Sequence, residues 1–477
     1  MFTVDNLYDH VSKDVPTYPP FSIGDITLEN PARFLTTHEV KQTTRNQTIC
    51  EIGLVEENLD LERASRAVNH LMHLYPFLSY GVQFDAEHKW MRYLPQEVHT
   101  YSLMFEETPL SSFDEIGNYV AAATDVLHSQ KLSHWSVVKV EVPELPTVRA
   151  GLVFKVYHCL MDGVAIMQLL KKFNELYVSS SELIEIPSPI QVTNFRSIMS
   201  CQPDFQSSQQ PLKKSALNLS KLTGQFKEEN QFGSKLKYLD QIGVLCHHYR
   251  PEQICRVPGV QYSFSLYSLY ITQLVAYMYF NKDLAITEDY VCPVVDLRRD
   301  IQLLQSGRYP CIDVNKILGQ SALPCLLVSK GNQETSVQQI ANQMQKQFEM
   351  SKTSSEMKWQ QIAQNEVGPS SFKLNLDILM CSNIGKMDLG VGPLAHMIGF
   401  SSAHHIWDKP ILYPANSVHS GKFGVFVFEW DFKIFSNEKH QMNDIVFLEM
   451  NKVIMEKGPE NVFVSDIVKI YESVCNK

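Results

Sequence analysis

The sequence predicts a mixed α/β protein built of two lobes. The chain has 477 residues, which is too long for one simple core when domains hold roughly 100–200 residues each. Apolar patterns of helical and of strand period occur in both halves of the chain. Between the halves, a stretch rich in Ser, Gln and Pro has no regular pattern. We therefore expect an N-terminal lobe at 1–185, a crossover linker at 186–215 and a C-terminal lobe at 216–477.

The first half is predicted to contain a helix, two strands and a second helix, in that order. Apolar residues at helical spacing follow a capping Asp60, which predicts an amphipathic helix over residues 61–75. Runs rich in residues that favour strands occupy 134–142 and 150–158. Residues 163–177 again place their apolar side chains on one helical face. The residues between the second strand and the second helix therefore form a strand-to-helix turn.

The second half repeats this mixture. Residues 257–280 carry no charge, and their length alone would suit a membrane span. Their Ser, Thr and Gln residues make insertion into a bilayer less favourable, so a helix buried inside a large domain is favoured. A strand at 289–297, a helix at 335–349 and an alternating strand at 423–435 follow.

Charge and cysteine usage exclude several classes of function. The 42 basic and 52 acidic residues give a net charge of -10, which lacks the positive field that nucleic-acid binding requires. The ten cysteines form no C-x-x-C pair, so neither a disulfide scaffold nor a zinc site is expected. The N-terminal residues have no basic leader or apolar run of the kind that marks a secretory signal. We expect a cytoplasmic protein with no nucleic-acid partner.

One turn has residues suited to catalysis. It contains His158, Asp162 and Gly163 in the pattern H-x-x-x-D-G. The H-x-x-x-D spacing occurs four times in the chain, but only this copy lies between a strand and an amphipathic helix and has a glycine after the aspartate. That glycine suggests an unusual backbone angle. A purely structural reading stays open, in which His158 bonds to a neighbouring carbonyl and Asp162 caps the next helix.

The turn resembles the active-site signature of the acyl-CoA-dependent acyltransferase superfamily. This superfamily includes plant BAHD acyltransferases, alcohol O-acetyltransferases, condensation domains of peptide synthetases and chloramphenicol acetyltransferase. Residues 292–299, CPVVDLRR, are similar to its P-V-x-L-R strand, and residues 381–385, CSNIG, to its S-N-x-G segment. Tyr157 stands where condensation domains have a first histidine, and the late D-F-G-W-G motif of the plant enzymes is absent. The resemblance therefore favours the alcohol O-acetyltransferase branch.

The resemblance implies a fold and a reaction. It implies two chloramphenicol-acetyltransferase-like lobes with an active-site channel between them. Acyl-CoA enters this channel as a co-substrate and gives its acyl group, acetyl by expectation, to the hydroxyl of a small apolar alcohol. His158 acts as the general base in a direct attack without an acyl-enzyme. The resemblance implies no permanent cofactor and no metal, and we expect a monomer.

Two alternatives stay open beside this reading. The first is an enzyme of condensation type that uses an amine acceptor or a carrier-bound donor. The second is a non-catalytic protein of the same fold that binds acyl-CoA or another ligand.

The resemblance also implies roles for the other motif residues. Asp162 is expected to fix the turn through an ion pair with Arg298, although the residues alone fit a solvated arginine at a strand end equally well. Gly163 belongs to the same turn. The second lobe supplies residues to shape the channel or stabilise an oxyanion, namely Ser382, Asn383 and Gly385.

Overall fold

The structure of the protein is a computed structural model. It describes residues 35, 48–56, 58–85, 87, 90–95, 101–113, 115–116, 119, 133–158, 160–179, 242–249, 251–281, 289–296, 322–324, 327–329, 331–353, 378–381, 385–386, 388–402, 416–419, 424–431 and 437–476.

The described residues form six α-helices and fifteen strands, so the predicted mixed α/β class is confirmed. The helices are α1 Leu61–Leu74, α2 Gly163–Ser179, α3 Tyr262–Asn281, α4 Val337–Thr353, α5 Asn437–Lys457 and α6 Val464–Cys475. The strands of the first half are β1 Thr48–Val55, β2 Tyr80–Asp85, β3 Trp90–Pro95, β4 Phe105–Leu110, β5 Ser133–Val140 and β6 Ala150–Tyr157. Those of the second half are β7 Ile242–Tyr249, β8 Asp289–Asp296, β9 Ala322–Pro324, β10 Leu327–Ser329, β11 Ile378–Cys381, β12 Gly385–Lys386, β13 Leu394–Ser402, β14 Asn416–His419 and β15 Gly424–Asp431.

The helices and strands predicted from periodicity are present. Asp60 caps α1 as predicted, because its Oδ1 atom accepts a hydrogen bond of 3.0 Å from the Arg63 amide. Strand β5 ends two residues before the predicted Val142. Strands β6, β8 and β15 and helices α2 and α4 lie within a few residues of the predicted ranges. These segments are long and strongly periodic, which is where local patterns predict best.

A five-stranded sheet organises the first half, in the order β13-β1-β6-β5-β4. Its neighbours are antiparallel except for β4 and β5, which run parallel. Its core forms one apolar cluster with buried side chains of α1 and α2. Strand β6 is therefore the middle strand of the sheet, and the chain continues from its end into α2.

The edge strand β13 was not expected in this sheet, because it comes from the second half of the chain. It pairs with β1 along its whole length, from Thr48 opposite Ser402 to Val55 opposite Leu394. The chain thus crosses back from the predicted C-terminal lobe to complete the first sheet. The linker predicted at 186–215 lies outside the described residues, and those domain boundaries stay a prediction.

The second half contains two four-stranded sheets and a helical core. The sheets have the orders β10-β8-β11, with β9 also paired to β8, and β12-β14-β15-β7. Helix α3 packs with α4, α5 and α6 in a second apolar cluster. This confirms the prediction of a buried helix for the charge-free stretch. Among the described helices, none has the length and hydropathy needed to cross a membrane.

Several polar side chains of α3 are hydrogen-bonded inside this core. Ser268 and Thr272 donate hydrogen bonds of 2.7 and 2.6 Å to carbonyls of the preceding turn. The Gln273 amide donates one of 2.5 Å to the Asn443 carbonyl on α5. A buried hydroxyl or amide costs little free energy when it is hydrogen-bonded, so a charge-free helix with these residues suits a protein interior.

A buried amide on α2 holds residues 389–394 against the first half of the chain. These residues lead into β13 and are called the crossing segment here. Asn174 is fully buried, and its Nδ2 atom donates hydrogen bonds of 2.9 and 3.0 Å to the carbonyls of Leu389 and Leu394. Its Oδ1 atom accepts a bond of 3.0 Å from the Leu394 amide. A Cβ atom on Gly392 would come within 2.4 Å of the Asn174 side chain, so only glycine fits there. One side chain therefore holds the backbone that leads into β13.

We predict that Asn174→Leu lowers the free energy of unfolding by about 3 kcal/mol, because it leaves three buried backbone groups without partners at about 1 kcal/mol or more each. Urea denaturation followed by tryptophan fluorescence measures the change. The matched control is Asn342→Leu on the exposed surface of α4, which we expect to stay within about 0.5 kcal/mol of the native protein. Equal losses in the two variants would contradict the fastening role of Asn174.

Candidate functional site

The predicted catalytic turn lies between the middle strand of the first sheet and α2. Strand β6 ends at Tyr157, which pairs with Thr48 at the start of β1. Helix α2 begins at Gly163. Within the turn, Leu160 and Met161 are buried in the apolar core and anchor its backbone. The turn is thus held at both ends by regular structure and in the middle by packing.

The His158 ring is oriented by the turn itself. Its Nδ1 atom lies 3.1 Å from the carbonyl oxygen of Met161. A carbonyl oxygen can only accept a hydrogen bond, so the proton of the neutral ring resides on Nδ1. The lone pair is then on Nε2, which is the state a general base requires. The side chain is half-buried, so it is not sealed within the core.

Asp162 caps α2. It is 2% exposed, and its Oδ1 atom accepts a hydrogen bond of 2.9 Å from the Ala165 amide. Its carbonyl oxygen accepts one of 3.0 Å from the Ile166 amide, which is the first bond of the helix. Both contacts of the purely structural reading are therefore present. They are compatible with catalysis, because the same bonds fix the turn that carries the His158 ring.

The prediction of an unusual backbone angle at Gly163 is wrong. Positive φ angles among the described glycines occur at Gly259, Gly390 and Gly458. Gly163 is instead the first residue of α2 and has no left-handed conformation. Because Asp162 already supplies the helix cap, the chain enters the helix without a special turn residue.

Most of the second-lobe candidates lie outside the described residues. These are Arg298, Ser382 and Asn383, and the ion pair between Asp162 and Arg298 stays a prediction. Gly385 begins β12 and pairs with Val418 of β14. Its role in a channel or at an oxyanion also stays a prediction.

The structure brings the two second-lobe motifs onto neighbouring strands. Strand β8 carries Pro293 and β11 carries Cys381, and these two residues are direct partners in a parallel pair. Parallel strands end at the same edge of a sheet. The L-R-R and S-N-I-G portions of the sequence each follow the end of one of these strands. The strands that carry the first residues of the two motifs are thus direct neighbours, although they are distant in the chain.

Sequence reasoning missed two ionisable side chains buried near the turn, Glu51 on β1 and Lys155 on β6. Charged residues are rarely fully buried without a partner. A signal was present, because Glu51 interrupts the apolar run TICEIGLV and Lys155 the run AGLVFKVY. A charged residue within a strand whose other residues are apolar on both faces indicates a buried ionisable side chain.

The folded protein favours the protonated, neutral form of the Glu51 carboxyl. It is 2% exposed, and its Oε2 atom has no hydrogen-bond partner in the described part of the chain. Burial raises the pKa of this carboxyl well above its usual range. The folded state therefore keeps a proton that the unfolded chain releases at ordinary acidic pH.

We predict that Glu51→Gln stabilises the protein increasingly as the pH rises. Above the usual carboxyl pKa, holding the proton costs the native protein about 1.4 kcal/mol for each pH unit, up to the raised pKa. Glutamine has no proton to hold and escapes this cost. Urea denaturation between about pH 5 and pH 8 should show the gain over the native protein growing with pH.

The matched control for this prediction is Glu107→Gln, at an exposed position on β4. Its difference in unfolding free energy from the native protein should stay flat over the same pH range. A flat difference for Glu51→Gln as well would contradict the protonated state of Glu51.

Comparisons with known proteins identify the fold. No protein-family model matches the chain, and no curated protein matches it. Solved structures match over most of its length. The first condensation domain of the calcium-dependent antibiotic synthetase is 14% identical, with a TM-score of 0.61, and the match covers 91% of this chain and 99% of that one.

Two further structures agree with this match. The starter condensation domain of rhizomide synthetase RzmA, as a single-residue variant in complex with C8-CoA, is 12% identical with a TM-score of 0.60 and coverages of 91% and 96%. Polyketide synthase associated protein 5 from Mycobacterium tuberculosis is 10% identical with a TM-score of 0.60 and coverages of 88% and 98%. At these identities the comparisons show a shared fold. The chain has the fold of these condensation domains, and this agrees with the fold that its motifs imply.

The comparisons refine the prediction made from the motifs. They show the fold that the motif resemblance implies, but a shared fold does not separate the alcohol O-acetyltransferase branch from the condensation-type alternative. That branch is not confirmed.

Proposed function

We propose that the protein transfers an acyl group from a thioester donor to an amine, in a condensation-type reaction with His158 as the general base. The observation that carries this proposal is the hydrogen bond between the His158 ring and the Met161 carbonyl. It places the proton on Nδ1 and the basic lone pair on Nε2. An imidazole in this state removes a proton from a nucleophile at neutral pH.

The reaction needs no covalent enzyme intermediate. The acceptor nitrogen attacks the thioester carbonyl while Nε2 takes its proton. The carbonyl oxygen becomes negative, and hydrogen-bond donors that face it lower the barrier. When the tetrahedral intermediate collapses, the carbon–sulfur bond breaks and the departing thiolate takes the proton from the imidazolium. The products are an amide and a free thiol, and His158 returns to its starting state.

The choice of substrates rests on the structural relatives. One structure of the RzmA starter condensation domain contains C8-CoA together with Leu-SNAC. C8-CoA supports acyl-CoA as the co-substrate of this chain, and the leucine derivative supports an amine as the acceptor. A donor on a carrier protein presents the same thioester and would react in the same way. The alcohol acceptor first predicted from the motifs is now the second choice.

Several expectations about the protein stay predictions. The motif positions Asp162, Gly163 and Arg298 are proposed to fix the turn, and Ser382, Asn383 and Gly385 to line the channel or face the oxyanion. The monomeric state and the cytoplasmic location also rest on the sequence.

We predict that His158→Ala reduces kcat/KM for acyl transfer by about 10²- to 10⁴-fold, the usual contribution of a positioned base. Acetyl-CoA and octanoyl-CoA are offered with leucinamide and, separately, with 1-hexanol. A thiol reagent measures the CoA released, and mass spectrometry identifies the product. The control is His73→Ala at an exposed position near the end of α1, which should keep native activity.

Three results would contradict the proposal. Release of CoA that is equal in the native protein and His158→Ala would exclude His158 as the base. An ester product without any amide would show that the acceptor is an alcohol. Binding of acyl-CoA without turnover, unchanged in His158→Ala, would identify a ligand-binding protein of the same fold.

A further inference from the structure

The position of one backbone carbonyl determines how the His158 ring is oriented. The Nδ1 atom of His158 lies 3.1 Å from the Met161 carbonyl oxygen, whereas N–H···O hydrogen bonds normally extend to about 3.2 Å. A displacement of this carbonyl by roughly 0.5 Å away from the ring would therefore end the hydrogen bond. Without the bond, the proton is free to occupy either ring nitrogen. The basic nitrogen thus depends on small shifts of the backbone at Met161.

The residue after Met161 is fixed to α2. The Asp162 carboxyl accepts a hydrogen bond of 2.9 Å from the Ala165 amide, and the Asp162 carbonyl accepts one of 3.0 Å from the Ile166 amide. These bonds attach Asp162 to the first turn of the helix. Met161 lies between this fixed residue and the part of the turn that carries His158.

Met161 is also held by its side chain, which is fully buried. This side chain belongs to the apolar cluster that α1, α2 and the first sheet form. Protein interiors are close-packed, so a side chain in such a cluster has little room to move. The Cα atom that bears the side chain is only two covalent bonds from the carbonyl oxygen. Burial of the Met161 side chain therefore restricts the position of the oxygen that the His158 ring contacts.

Substitutions at position 161 should change this restriction to different degrees. Alanine removes the side-chain atoms beyond Cβ and leaves a cavity, toward which the surrounding structure relaxes in part. Leucine has nearly the same volume as methionine, and volume-conserving changes of this kind are tolerated best. The pattern H-x-x-x-D-G leaves this position open, whereas the contact with His158 requires a large apolar side chain there.

We propose that Met161 is a positioning residue for acyl transfer, because its buried side chain holds the carbonyl that keeps the His158 proton on Nδ1. This inference rests on the proposed function and adds a residue to it. Met161 has no exposed surface with which to contact a substrate, so it acts through His158. Loss of its side chain should therefore slow the chemical step and leave substrate binding unchanged.

The kinetic test compares Met161→Ala with Met161→Leu, with octanoyl-CoA and leucinamide as substrates. Met161→Ala should lower kcat by about 10- to 100-fold, because a catalytic group misplaced by about 1 Å can cost about 100-fold in rate. KM for both substrates should stay within about twofold of the native value. Met161→Leu should keep kcat within about threefold of the native value. If Met161→Ala does not fold, Met161→Val, which leaves a smaller cavity, replaces it with the same expected pattern.

The matched control is Met397→Ala on β13. Met397 is also fully buried in the first apolar cluster, so its truncation leaves a comparable cavity. The carbonyl that contacts the His158 ring belongs to Met161, so Met397→Ala should keep kcat within about threefold of the native value. All variants are assayed well below the lowest of their melting temperatures. Equal losses of kcat in Met161→Ala and Met397→Ala would contradict the positioning role.

A measurement without turnover separates failure of this inference from failure of the proposed function. Nitrogen-15 NMR of histidine-labelled protein shows which nitrogen of the neutral His158 ring carries the proton. The proton should stay on Nδ1 in Met161→Leu and Met397→Ala, and it should be shared between both nitrogens in Met161→Ala. This pattern supports the inference even if no compound is turned over. A proton that stays on Nδ1 in Met161→Ala, or the same change in Met161→Ala and Met397→Ala, would overturn it.

Discussion

The proposed chemistry depends on one hydrogen bond, from the His158 ring to the carbonyl of Met161. Without it, the ring could turn and exchange its protonated and basic nitrogens. With it, one nitrogen is occupied as a donor and the other is left as the base. The Met161 carbonyl is held in position for this bond because the turn that contains it is itself fixed. Met161 is buried in the core, and Asp162 caps the following helix.

The sheet determines where this turn lies. Strand β6 is paired with β1 on one side and β5 on the other, and β1 is paired in turn with β13, which comes from the other half of the chain. Asn174 holds the backbone that leads into β13, and it belongs to the same helix that Asp162 caps. The His158 turn and the crossing segment are therefore both attached to α2.

Local features of the fold were predictable from the sequence, whereas non-local pairings were not. The cap at Asp60 and the turn from His158 to Gly163 are defined by neighbouring residues, and the structure has them where the patterns place them. The pairing of β13 with β1 depends on contacts between residues more than 300 positions apart, which periodicity does not encode. The backbone angle expected at Gly163 failed because Asp162 had already satisfied the start of the helix. Residues Lys155 and Glu51 were visible as charges in apolar runs, but their burial on a sheet face required the structure.

The most direct test of the account is the tautomer of the His158 ring, measured by nitrogen-15 NMR of histidine-labelled protein at a pH where the ring is neutral. The His158→Ala variant assigns the signals. The account predicts that the proton is on Nδ1 and that Nε2 has the chemical shift of an unprotonated nitrogen. A ring with its proton on Nε2 would contradict the account, because the hydrogen bond to the Met161 carbonyl would then be impossible and the proposed base would have no lone pair at Nε2.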